Sequence, residues 1–133
     1  MHITTRSLLA VKTLLTCAAE PARLFRKHEI AALLGASENH LAQVIHQLAR
    51  KGFLATQRGR AGGLRLARPA EQITLGEVLR KFEAGLPLVS QTCEDRLGRA
   101  FAGAEEMFYQ KLDAVSLKEL IPSPARALTI AAE

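Results

Sequence analysis

The spacing of apolar residues predicts two helices in the first third of the chain. Over residues 5–19 an apolar stripe recurs at helical intervals, which indicates a helix buried on one side. The stripe consists of Leu8, Val11, Leu15 and Ala18, widened by Leu9 and Leu14. Pro21 follows and ends this helix. A second, short helix is predicted over residues 28–34, with Gly35 as its stop.

A third helix is predicted from the N-cap residue Ser37 to about Lys51, so that helix, glycine turn and helix form a helix-turn-helix. One face is apolar and consists of Leu41, Val44, Ile45 and Leu48. The opposite face is polar and consists of Asn39, Gln43, His46 and Arg50, flanked by His40 and Gln47. Such side chains can bond base edges or phosphates from a major groove, although they could equally form a solvated face.

The residues after this helix favour nucleic acid. Two predicted strands, residues 53–57 and 64–67, enclose a basic tip rich in glycine, which is the pattern of a β-hairpin wing. Glycines let the backbone approach a surface closely, and arginines are attracted into a narrow minor groove. A nucleotide-binding P-loop is disfavoured because a strand follows the glycines instead of a helix. The predicted DNA-contacting residues are Ser37, Asn39, His40, Gln43, His46, Arg50, Arg58, Gly59, Arg60, Gly62, Gly63 and Arg65.

The C-terminal part of the chain predicts a long helix with an unpartnered apolar stripe. A Thr74 to Glu77 capping box opens a helix that ends near Glu83, so residues 1–83 are predicted to form a winged helix-turn-helix domain. Residues 84–93 are expected to be a connecting loop, and residues 94–133 a long helix, a short closing helix and a tail. The stripe consists of Leu97, Phe101, Ala104, Phe108, Leu112 and Val115, and Tyr109 is expected on the same helix. The same helix of a second chain is the simplest partner for this stripe, since a two-fold dimer would place two recognition helices on successive turns of DNA.

Composition and charge narrow the function classes. The 133 residues make one ordinary domain with an aliphatic core, and no apolar run approaches the roughly 20 residues needed to cross a bilayer. We therefore expect a cytoplasmic protein. Residues 1–83 carry 13 Lys and Arg against 6 Asp and Glu, whereas residues 84–133 carry 5 against 7. A localised basic surface is typical of proteins that neutralise phosphates.

Two cysteines cannot form a disulfide framework. Cys17 is expected in the core of the first helix, whereas Cys93 is a candidate redox sensor. Its thiol would precede a helix, whose dipole lowers a thiol pKa, but Glu94 and Asp95 oppose that effect. His40 and His46 do not share a helical face, so no metal site is predicted there. No spacing of nucleophile and base indicates an enzyme.

Several runs together resemble the IscR/NsrR family of bacterial winged-helix regulators, and most closely its nitric-oxide-sensing NsrR branch. The runs are Ser37-Glu38-Asn39-His40-Leu41, Arg50-Lys51-Gly52-Phe53-Leu54, Arg58-Gly59 with Gly62-Gly63, Leu66-Ala67-Arg68-Pro69-Ala70 and Ile73-Thr74-Leu75-Gly76-Glu77-Val78. The resemblance implies a mostly α-helical fold with a hairpin wing and a long dimerisation helix. It also implies a dimeric repressor with the third helix in the major groove and Arg58 in the minor groove.

Many members of that family hold an iron–sulfur cluster with three cysteines ahead of the long helix. This chain has only Cys93 in that stretch, and Asp95 falls at the place of the last family cysteine. One thiolate cannot hold such a cluster, so we expect no cofactor and no metal, and a response to redox state or to a small ligand.

The sequence thus predicts a homodimeric, sequence-specific transcriptional regulator that represses from a palindromic operator. The alternative is a protein-interaction module whose basic winged helix docks on an acidic partner. Sequence preference among DNA duplexes at fixed salt would distinguish the two.

Overall fold

The computed structural model describes residues 2–83 and 95–122, and this part of the chain is mostly helical with one antiparallel hairpin. The predicted fold class is confirmed. The elements are α1 (Thr5–Ala19), α2 (Lys27–Leu34), α3 (Glu38–Arg50), β1 (Leu54–Gln57), β2 (Gly63–Leu66), a 3-10 turn (Ala70–Gln72), α4 (Leu75–Phe82), α5 (Arg96–Asp113) and α6 (Leu117–Leu120). The predicted loop over residues 84–93 and the tail from residue 123 lie outside the described residues.

Short polar side chains begin α3, α4 and α6, as the sequence indicates. The hydroxyl oxygens of Ser37 and Thr74 accept hydrogen bonds from the backbone N–H groups three residues on, at 3.1 Å each. Ser116 and Glu119 form a complete capping box at the start of α6. Gly35 ends α2 with φ of 64°, a left-handed conformation that glycine adopts without a steric penalty.

The boundaries of the long helix differ from the prediction. It begins at Arg96 and not at Glu94, because the Asp95 carboxylate caps it by accepting from the N–H of Gly98 at 3.0 Å. The helix ends at Asp113, so Val115 does not extend its stripe. The carbonyl of Val115 instead accepts from the N–H of Leu75 at 2.8 Å, which ties the connection after α5 to the start of α4.

One apolar core joins α1 to every neighbouring element. Leu14, Leu41, Leu48 and Phe53 are fully enclosed there, and Cys17 is only 1% exposed, as predicted for a core thiol. The prediction for Leu8 is wrong, since 49% of this residue is exposed. It shares an outward stripe of α1 with the half-buried Lys12 and Thr16, four and eight residues further on.

The C-terminal helices pack on this core from the side of α4. Arg80 of α4 donates to both Glu106 oxygens, at 3.0 and 2.9 Å, and pairs with Asp113 at 2.8 Å. Tyr109 lies on α5, as predicted, and is buried against the same core, because the face of α5 that carries it turns inward. Leu117 of α6 is fully buried, and its N–H donates to the carbonyl of Ile73.

The apolar stripe of α5 is therefore covered only in part. Phe108 and Leu112 pack partly against the chain's own core. Leu97 and Phe101 remain 59% and 39% exposed, and Ala104 is exposed as well. No helix in the described ranges is both long and apolar enough to cross a membrane.

Candidate nucleic-acid interface

Helix α3 presents its predicted polar face to solvent. Asn39, Gln43, His46 and Arg50 are all exposed, while His40 and Gln47 are half-buried at its edges. The apolar face, Leu41 to Leu48, is buried against the rest of the domain. This two-sided burial fixes the rotation of α3, so the polar side chains share one outward direction.

Ser37 caps α3, in addition to its predicted role in contacting DNA. Its Oγ accepts from the backbone N–H of His40 at 3.1 Å, which satisfies one of the free donors at the start of α3. The residue is exposed, so the hydroxyl proton stays available for an outside acceptor.

A groove runs along one edge of the α3 face. Its larger depression, about 430 Å³, is lined by Arg6 of α1 together with Ala42, Gln43, His46, Gln47 and Arg50. A second depression of about 270 Å³ adjoins it at Gln47 and Arg50 and ends at Lys51. Arg6 and Lys51 were not among the residues that the sequence pointed to. Neither the apolar periodicity nor a motif shows that the first turn of α1 lies beside α3.

The hairpin forms the predicted wing, with a five-residue tip. Leu54 pairs with Leu66 and Gln57 with Gly63, which leaves residues 58–62 as the tip. Gly59 has φ of 102°, which favours glycine. A Cβ on Gly62 would collide with the backbone carbonyl of Gln57, so only glycine fits there. Arg58, Arg60 and Arg65 are exposed on this wing.

A short extended segment before α2 holds the wing in place. Phe25 and Leu64 exchange both backbone hydrogen bonds, at 2.9 and 2.8 Å, and the Arg26 guanidinium donates to the carbonyl of Arg60 at the tip. A Cβ on Gly63 would lie 2.7 Å from the Phe25 carbonyl oxygen, so glycine permits this approach. No pattern in the sequence predicts this contact. It fixes the wing relative to α2 and α3.

Among the described residues, no carboxylate forms an ion pair with the cations of this surface. Elsewhere Arg23, Arg68 and Arg80 form ion pairs with Glu or Asp. Within residues 2–83 and 95–122, no ion pair involves the cations of the groove and the wing: Arg6, Arg50, Lys51, Arg58, Arg60 and Arg65. α3, the groove and the wing thus form a basic surface suited to a polyanion.

Comparison with known proteins identifies the fold and the family. The family model of Rrf2, described as an iron-dependent transcriptional regulator, matches residues 3–123. The chain belongs to the Rrf2 family. It is therefore a DNA-binding transcriptional regulator, which favours DNA over the acidic protein partner that the sequence left open. The NsrR branch stays a prediction.

Three solved structures show the same fold. CymR, the global cysteine regulator of B. subtilis, matches with a TM-score of 0.78 and 21% identity, covering 91% of this chain and 96% of that one. The oxidized form of Staphylococcus aureus CymR gives 0.77 and 24%, covering 92% and 98%. T. potens IscR gives 0.76 and 23%, covering 91% and 86%.

The residues of this Rrf2 chain do not fit a cysteine-ligated iron–sulfur cluster. Cys17 is buried in α1, where burial raises the pKa of its thiol to about 12 and disfavours the thiolate that iron requires. Asp95, at the place of the last family cysteine, caps α5. Cys93 lies outside the described residues. Within these residues, no three His, Cys, Asp or Glu side chains form a group that could hold a metal ion.

Proposed function

We propose that this Rrf2 protein is a homodimeric repressor that recognises a palindromic operator. In this proposal α3 lies in the major groove and the tip of the wing enters the adjacent minor groove. The observation that carries it is the common basic surface of α3 and the wing, whose arginines have no carboxylate partner among the described residues. The contact between Phe25 and Leu64 keeps the two parts in a fixed relation, which favours simultaneous binding.

Different residues supply sequence preference and affinity in this proposal. Asn39, Gln43 and His46 carry side chains that can bond base edges, so they would read sequence. Ser37, His40 and Arg50 would contact bases or phosphates from the rim of the same helix. Arg58 would enter the minor groove, with Arg60 and Arg65 on its flanking phosphates. Gly59, Gly62 and Gly63 would let the wing approach the DNA backbone.

The dimer would form through α5. The exposed Leu97, Phe101 and Ala104 form the apolar surface that this role requires, and Phe108 and Leu112 border it. Residues 1–83 would then be the DNA-binding unit and residues 94–133 the dimerisation unit. A two-fold dimer presents two copies of α3, which matches a palindrome.

The signal would be oxidation of Cys93. The unreactive environment of Cys17 supports this assignment, because it leaves Cys93 as the other thiol of the chain. A reversible thiol switch needs no iron–sulfur cluster, and the cysteines of this chain do not fit one.

Fluorescence anisotropy with a duplex from the upstream region of the protein's own gene tests the proposal. At fixed salt we expect a preference of about 10³ or more over random DNA. Peroxide should abolish binding by the wild-type protein but not by a Cys93→Ser variant, and thiol should restore it. Equal affinity for all duplexes would contradict the operator, whereas specific binding that ignores peroxide would contradict only the thiol switch.

A further inference from the structure

The groove beside α3 combines residues from two distant segments of the chain. Arg6 lies in the first turn of α1, and its side chain borders the same depression as Gln43, His46 and Arg50 of α3. Lys51, directly after the last residue of α3, borders the adjoining depression. A basic residue therefore stands beside the middle of the α3 face and another stands at its C-terminal end.

The charged residues that line this groove, within the part of the chain that the structure describes, are all basic. Among the described residues, no Asp or Glu lines either depression, and the polar groups besides the three cations are the amides of Gln43 and Gln47 and the imidazole of His46. Amides and cations suit phosphate oxygens, because both can donate hydrogen bonds and the cations add Coulomb attraction.

The backbone that carries Arg6 is firmly held. Thr4 caps α1 by accepting from the N–H of Ser7 at 3.2 Å, and it donates its own N–H and hydroxyl to the Glu83 carboxylate at 2.9 and 3.1 Å. Glu83 is only 6% exposed. The first turn of α1 is thus fixed to the end of α4, so little backbone freedom is lost when Arg6 binds an anion.

We propose that Arg6 and Lys51 contact DNA phosphates on the strand that runs along this groove, one beside the middle of α3 and one at its end. This inference rests on the proposed DNA-binding function and assigns contacts that the α3 face and the wing do not include. Because phosphates are the same at every base pair, these two residues contribute affinity without sequence preference.

The test measures how binding depends on salt. Each phosphate contact contributes about −0.9 to the slope of log affinity against log salt concentration. We expect Arg6→Gln and Lys51→Gln each to make the slope less negative by about 1 for each bound subunit. When salt is raised from about 50 to about 200 mM, the affinity of each variant should fall by a factor roughly 3-fold smaller than that of the wild type, for each contact removed. Preference for the upstream duplex over random DNA should not change.

The control is Lys118→Gln, which removes the same charge from an exposed position of α6. Arg6→Lys should retain most of the slope, since a phosphate contact needs the charge more than the guanidinium shape. Thermal unfolding midpoints should stay equal, because Arg6, Lys51 and Lys118 are exposed.

The inference is overturned if Arg6→Gln and Lys51→Gln show the same salt slope as Lys118→Gln. In that case salt-dependent DNA binding by the wild type would still support the proposed function. A change of base preference in Arg6→Gln would also overturn it. Absence of salt-dependent DNA binding in the wild type would instead overturn the proposed function, and this inference with it.

Discussion

The carboxylate of Glu83 accepts hydrogen bonds from both the backbone N–H and the hydroxyl of Thr4, at 2.9 and 3.1 Å. These residues are 79 positions apart in the chain. The contact joins the end of α4 to the start of α1, two residues before Arg6. It therefore connects the end of α4 to the edge of the proposed DNA-binding surface.

This contact predicts a pH dependence of stability. Burial raises the pKa of Glu83, but the hydrogen bonds from Thr4 and Ser7 outweigh it, so the pKa lies below the ordinary value of 4.5. A lowered folded-state pKa means that the stabilisation is present above pH 4.5 and is lost as the pH falls through the lowered pKa. Below that range the carboxyl is protonated in both the folded and the unfolded chain.

Denaturant titration of the wild type and of Glu83→Ala, from neutral to acidic pH, measures the free energy of unfolding and tests this pH dependence. We expect Glu83→Ala to cost about 1–3 kcal/mol at neutral pH, because Thr4 loses its acceptor. The difference should narrow as the pH falls below 4.5. Exposed Glu38 offers a matched control, and a Glu38→Ala difference with the same pH profile would contradict the assignment to Glu83.

Gly62→Ala should distort the tip of the wing. A methyl group there would collide with the Gln57 carbonyl, and overpacking of this kind costs about 1–3 kcal/mol. We expect a lower thermal unfolding midpoint and weaker DNA binding, because the arginines of the tip lose their fixed placement. Ala61→Ser alters the neighbouring exposed position and should change neither. Wild-type affinity and stability in Gly62→Ala would show that the tip adjusts without cost.

Phe101→Glu should dissociate the proposed dimer. A charge on the exposed stripe of α5 would have to be buried without a partner in the interface, which is unfavourable. Sedimentation velocity should show a monomer, and affinity for a palindromic duplex should fall. Gln110→Glu adds the same charge to a part of α5 away from the stripe and should remain dimeric. A Phe101→Glu protein that still sediments as a dimer would place the interface elsewhere.

Cys17 should resist alkylation in the folded protein. Burial raises the pKa of its thiol to about 12, so almost no thiolate exists at neutral pH and reagents cannot reach it. Iodoacetamide should leave Cys17 unmodified in the folded chain and modify it in the unfolded chain, as located by mass spectrometry of the digested protein. Modification of Cys17 in the folded protein at the rate of a free thiol would disprove its protection.

Much of the fold could be predicted from local patterns in the sequence. The two faces of α3, the caps at Ser37, Thr74 and Ser116 and the glycine after α2 each depend on residues only a few positions apart, so periodicity and capping chemistry are enough to find them. The hairpin followed from its glycine-rich tip for the same reason. These elements, and the motifs that resemble a regulator family, are what the sequence determined by itself.

Packing decided the rest. Leu8 faces outward although it belongs to the apolar pattern of α1, and Tyr109 of α5 faces inward although it lies outside the predicted stripe, because a helix can turn only one face to a given core. The groove forms because Arg6 lies beside α3, and the wing is held because Phe25 pairs with Leu64. The first turn of α1 is held because Thr4 donates hydrogen bonds to Glu83. Each of these pairs is distant in the chain, and nothing in the local spacing of either member specifies the other. Such contacts arise only when the helices have packed, so the tertiary structure alone brings them together.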